Sequence, residues 1–179
     1  MMMTSPTSRV HRLLCKVLDN RITDLIPNGY ECWSEQIRLD NKMILELNGK
    51  NFESLNLKRF SEPDILVGTN FIWRGELLVS APSLVIEVLS KATENEDRFD
   101  KVKLYKELGV KEYLMVNQRG YFTVKDLVKD ESYELYEDDV FQSKTIPNVT
   151  FSVKEIYDAV DSLLIKFGYE LYWLIEQLT

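Results

Sequence analysis

Apolar residues recur at helical spacing in RVHRLLCKVLDN, residues 9–20, where Val10, Leu13, Leu14, Val17 and Leu18 share one face; the pattern predicts an amphipathic helix. His11 and Cys15 fall on or beside that face, which reads as a packed core histidine rather than a ligand. IPNG at 26–29 breaks the helix. ECWSEQIRLD and NKMILELNGK then read as two short strands joined at Asp40-Asn41, followed by a polar loop over 48–62. PDILVG at 63–68 is a short apolar strand entered through a proline, and 69–82 connects it to SLVIEVLS at 83–90, another strand.

The next twenty residues, 91–110, predict a helix with clear punctuation. Thr93 and Glu96 form a capping-box pattern, and Gly109 fits the left-handed position after the last turn. EYLMVN at 112–117 is a buried strand, and YFTVKDL and SYELYED alternate as a hairpin. IPNVTFSVKEIYDAV leads into a helix, and 163–178 continues as helix. The order of elements predicts an α/β fold with a mixed sheet flanked by helices.

At 179 residues the chain fits one domain, spanning 1–179. Hydrophobic residues at 45% and charged residues at 28% are ordinary for a globular protein. A formal net charge of −7 argues against a protein that coats nucleic acid non-specifically, but leaves room for a local basic cleft. No apolar run approaches the roughly 20 residues that span a bilayer, nor does the N-terminus carry a signal-peptide core. Cys15 and Cys32 show no metal or redox spacing and read as free thiols of a cytoplasmic protein. A single histidine rules out a His-rich zinc site.

The chemistry enters with Glu87, a carboxylate inside an apolar strand. Ionised and unpartnered, it would cost several kcal/mol, so it must be neutral, paired, exposed or bound to a cation. Asp64 opens the preceding strand, and if the two strands pair antiparallel, a symmetric connection sets Asp64 level with Glu87. Two carboxylates at one point repel unless a proton or a cation lies between them. Lys101 falls within the apolar stripe of Leu104, Tyr105 and Leu108, with Asp97 at its edge. It lies roughly 12 Å along its helix, and Glu87 lies about 10 Å back from Ser90, so a helix folding back on the strand brings the two together. A buried Glu–Lys ion pair accounts for those two residues but leaves Asp64 unexplained; a divalent ion beside Lys101 accounts for all three.

Pro63-Asp64, then Pro82-Ser83-Leu84-Val85-Ile86-Glu87-Val88-Leu89-Ser90, then Asp97, Lys101, Tyr105, Gly109-Val110 and Glu112-Tyr113 form an ordered set. That set resembles the PD-(D/E)XK nuclease superfamily, the restriction-endonuclease-like fold, and within it the Uma-type endonuclease family. The resemblance is strongest over 63–117. It departs from the superfamily at Leu89, where a lysine commonly stands; Lys101 is the matching position in the Uma-type pattern. Leu114 and Asn117 also depart, and the first helix offers no acidic residue of the kind some members carry. The resemblance implies DNA phosphodiester hydrolysis with Mg2+ or Mn2+. It implies Asp64, Glu87 and the Val88 carbonyl as metal ligands and Lys101 as the catalytic lysine, with Ser90 and Asp97 as outer partners. For those last two, a strand-end hydroxyl and a plain helix ion pair explain the residues equally well. Arg38, Lys58, Arg59, Lys91 and Arg98 are candidate DNA contacts, although a solvated surface role suits each. Two other readings stay open: an idle nuclease fold that binds nucleic acid or protein, and a homodimer formed through LLIKFGYELYWLI at 163–175.

Overall fold

A computed structural model describes residues 8–90 and 99–168. In chain order the elements are α1 (Arg9–Leu25), β1 (Tyr30–Ser34), β2 (Arg38–Asp40), α2 (Asn41–Leu47), β3 (Phe60–Ser61), β4 (Ile65–Thr69), β5 (Trp73–Arg74), β6 (Leu77–Leu78) and β7 (Leu84–Val88). Then come α3 (Lys101–Leu108), β8 (Glu112–Asn117), β9 (Tyr121–Asp126), β10 (Glu131–Leu135), β11 (Val140–Gln142), β12 (Thr150–Ser152) and α4 (Val153–Lys166).

The main sheet runs β1-β4-β7-β8-β9-β10. Its one parallel pair is β7 with β8, joined through α3; the other neighbours are antiparallel. A parallel pair needs such a crossover, and the helix packs on the sheet it crosses. Side chains alternate between the two faces of each strand. Ile65, Val67, Leu84, Ile86, Val88, Leu114 and Val116 share one core with Val10, Leu14, Leu18 and Ile22 of α1 and Ile156 and Val160 of α4. Leu66, Val85, Tyr113 and Met115 share a second core with Ile44 and Leu45 of α2 and Leu104, Tyr105 and Leu108 of α3. The sheet is thus covered on both faces, as its continuous apolar strands require.

The fold matches the sequence reading in most elements and departs from it at several points. Residues 41–47 are helix, not strand. Apolar residues at 43, 44, 45 and 47 suit either period, and the choice is made by Asp40, whose Oδ1 accepts the Met43 N–H at 3.1 Å and so caps a helix. The stretch 48–62 is not all loop, since it holds a 3-10 turn at Phe52–Ser54 and β3. The 69–82 connection holds the β5–β6 hairpin, which joins β2 and β3 in a second sheet of order β3-β2-β6-β5. Finally, α4 ends at Lys166, with Gly168 at φ +75° beyond it. The rest of the expected C-terminal helix lies outside the described residues, as does the Thr93–Glu96 capping box. Gly109 does close α3 in the left-handed region, at φ +92°.

Candidate functional site

β4 and β7 pair antiparallel with Ile65 opposite Ile86, and extending that register by one residue sets Asp64 opposite Glu87. Asp64 stands just outside the ladder and continues it with its side chain, since Oδ2 accepts the Val88 N–H at 2.8 Å. The carboxylate therefore does the work of a backbone carbonyl and is fixed at the end of two central strands.

Glu87 is only 3% exposed. Its Oε1 accepts the Tyr105 hydroxyl at 2.6 Å and lies 2.9 Å from Lys101 Nζ. Lys101 is the first residue of α3 and Tyr105 lies one turn later, so both reach the strand from the same side. The expected contact between Lys101 and Glu87 is present, although the helix expected to run from Thr93 to Lys101 falls largely outside the described residues. The Tyr105 hydroxyl was not anticipated as Glu87's partner, although a tyrosine one turn after the lysine and fully buried has to satisfy its O–H somewhere.

The opposite face supplies what the sequence reading missed. His11, on α1, places Nε2 3.2 Å from Asp64 Oδ2 and Nδ1 3.7 Å from Cys15 Sγ. It is half-buried with polar contacts on both ring nitrogens, not a histidine merely packed in the core. The turn that carries it is held by Ser8, whose Oγ accepts the His11 N–H at 3.1 Å and donates to Gln118 Oε1 at 3.2 Å. Gln118 Nε2 in turn donates to the Leu89 carbonyl at 2.8 Å. The start of α1 is thereby tied to the end of β7. One donor atom each from His11, Cys15 and Asp64 lies within 4.8 Å of the others.

Burial raises the Asp64 carboxyl, but the His11 hydrogen bond and charge, the Val88 amide and Lys101 outweigh it and hold the group below the ordinary carboxylate range. Cys15 goes the other way: burial, then the charges of Asp64, Glu87 and Glu35, push its thiol far up, so it stays S–H. Glu35 belongs to this corner as well, its backbone N–H donating to the Asp64 carbonyl at 3.3 Å. Glu35 and Gln36 are consecutive residues in the left-handed region, at φ +55° and +62°, a conformation costly for residues with a side chain.

Of the other expected residues, Ser90 is half-buried at the strand end, and Asp97, Lys91 and Arg98 lie outside the described residues. Arg38 is paired with Glu62 at 2.6 Å, and Arg59 stands 3.7 Å from Asp40. Both guanidinium groups lie over the Phe60 ring, at 5.7 and 4.9 Å from its centroid. These two arginines sit with the second sheet.

The donor set fits a hard divalent cation, which takes one or two carboxylates and keeps several waters. Asp64 Oδ2 takes the Val88 N–H at 2.8 Å and faces His11 Nε2 at 3.2 Å, which fixes the carboxylate at the strand end.

A model of the Uma2 family, described as "Putative restriction endonuclease", matches residues 2–154. The chain belongs to this family. A crystal structure from Anabaena variabilis ATCC 29413, described as a "putative nuclease belonging to DUF820", superposes with a TM-score of 0.69. The match covers 89% of this chain and 86% of that one at 12% identity, which establishes the restriction-endonuclease-like fold. No curated protein matches the chain. Among the described residues, no helix is long and apolar enough to cross a membrane.

Proposed function

We propose that this chain is a divalent-metal-dependent endonuclease that hydrolyses DNA phosphodiester bonds, acting as a single nuclease-like domain. One observation carries the reading: the β4–β7 register brings Asp64 opposite Glu87, with Lys101 Nζ 2.9 Å from that glutamate. Asp64, Glu87 and the Val88 carbonyl would hold Mg2+ or Mn2+, which supplies acidification of water and relief of charge building on the phosphate. The Asp64 carboxyl, held below its ordinary range, is ionised and ready to bind at neutral pH. Lys101, at the mouth of the site with one-fifth of its side chain exposed, is placed to hold a phosphate oxygen or orient the attacking water. Tyr105 fixes the Glu87 carboxylate from behind. Ser90 and Asp97 remain candidate outer partners.

The idle-fold reading is favoured by one feature: Lys101 and Tyr105 both engage Glu87 Oε1, a closed arrangement that needs no substrate. Cleavage of plasmid and single-stranded DNA with Mg2+ or Mn2+ decides between the two. Activity in the wild type, lost in Asp64→Ala and Lys101→Ala with circular dichroism unchanged, is the expected result. A wild type that binds metal and cuts neither substrate would sink the enzyme reading.

A further inference from the structure

Resting on the reading that Asp64 holds a divalent ion, we infer that His11 Nε2 joins it as a side-chain donor to that ion, so that the site takes a nitrogen-binding transition ion such as Mn2+ in preference to Mg2+. The His11 Nε2 to Asp64 Oδ2 separation of 3.2 Å is the spacing of two neighbouring donors on one cation. Donors about 2.1 Å from a shared ion lie roughly 3.0–3.4 Å apart at octahedral to tetrahedral angles.

The other ring nitrogen completes the pattern. A ligating histidine donates its second N–H to a neighbour that fixes the ring, and Nδ1 lies 3.7 Å from Cys15 Sγ, one turn along α1. Cys15 is 5% exposed and meets the ring at Nδ1, so it serves as the ring's partner. The imidazole is also held in place through its backbone. The Ser8–Gln118–Leu89 chain of hydrogen bonds ties the first turn of α1 to the residue after Val88, whose carbonyl is itself a candidate ligand. An imidazole nitrogen adds little for Mg2+, which prefers oxygen and water, and adds affinity for Mn2+ and the later divalent ions.

The test uses the full chain without a histidine tag, loaded with Mn2+ and examined by pulsed electron paramagnetic resonance. His11 is the only histidine in the sequence, so a histidine nitrogen coupled to the bound ion can come from nowhere else. The expected result is that coupling in the wild type and its loss in His11→Gln. In that variant Mn2+ affinity should fall by about 10-fold or more, while Mg2+ affinity changes by less than about 3-fold. The wild-type signal decides the question even if the variant fails to fold. Mn2+ that binds, weakens in Asp64→Asn and shows no histidine coupling would overturn the inference and leave the carboxylate site standing; His11 would then only hydrogen-bond Asp64. A wild type that binds neither Mn2+ nor Mg2+ would overturn both.

Discussion

Two glutamates are buried on neighbouring central strands, and they are held in opposite ways. Glu112, 2% exposed at the start of β8, is wrapped by one loop. Its Oε1 accepts the Lys144 N–H at 2.8 Å; its Oε2 accepts the Ser143 and Thr145 hydroxyls at 2.5 and 2.6 Å and the Thr145 N–H at 3.2 Å. These donors are neutral and come from three consecutive residues. Glu87, near the other end of the same parallel pair, is met by a lysine and a tyrosine from a helix, opposite a second carboxylate. The first arrangement spends a charge to pin a loop on the sheet. Each glutamate faces a carboxylate across its ladder, Asp126 for Glu112 and Asp64 for Glu87. What sets Glu87 apart is an ammonium group in direct contact, at 2.9 Å, which makes it the stronger candidate for a functional site. Burial alone therefore does not mark a functional carboxylate; the origin and charge of its partners do.

Glu87→Gln sharpens the contrast most. Cleavage of DNA should fall by at least about 100-fold, while denaturant unfolding shifts by no more than about 1 kcal/mol, since Tyr105 and Lys101 can still hydrogen-bond an amide. Glu112→Ala should do the reverse. Stranding the loop's buried N–H groups costs about 3 kcal/mol, seen as a fall of roughly 6–12 °C in Tm, with cleavage per folded molecule unchanged. A Glu112 variant that melts normally but loses activity would break the comparison.

Tyr105→Phe is a smaller probe. Loss of the hydroxyl from Glu87 should cost about 1–2 kcal/mol, and a double-mutant cycle with Glu87→Ala, which removes the acceptor altogether, should return most of it as coupling. Additive effects would mean that the 2.6 Å contact carries no energy.

The smallest effect concerns Asp126, which faces Glu112 across β8 and β9 and takes Lys144 Nζ at 3.1 Å. The Lys129 backbone N–H, together with Lys144 and the Val128 amide and against the effect of burial, holds its carboxyl below the ordinary range. A carboxyl depressed in the folded state stabilises above its unfolded pKa, about 3.9, and that contribution is lost as pH falls through the folded value. Thermal melts of Asp126→Asn should depend less on pH below about 4 than those of the wild type. Equal slopes would show that the Asp126 cluster contributes nothing to acid stability.

How far this could be read beforehand follows from the range of each interaction. The pairing of Asp64 with Glu87 was legible because register is arithmetic: the two residues stand equally far from the middle of one antiparallel connection. Lys101 was legible because a charge inside an apolar stripe breaks a periodic pattern. His11 broke none. It sits beside an apolar face, and its partner Asp64 is remote in sequence and comes from another element, so only the packing of α1 on the sheet reveals the contact. The helix at 41–47 was hidden for a different reason. Its apolar residues fit both periods, and a single cap, Asp40 to Met43, settles the choice.

One feature of the site bears on how such a chain changes over generations. His11 arrives from one face of the sheet, Lys101 and Tyr105 from the other, and the two carboxylates from the strands between. The cores that hold those elements are large, and Tyr105 is part of one, whereas Asp64 at its strand end is only half-buried. Disarming the proposed site would thus take one substitution at a strand end, whereas dismantling the fold takes damage to a core. Lineages carrying this architecture can lose the chemistry and keep the shape, so each member's site has to be read residue by residue before an activity is inherited along with the fold.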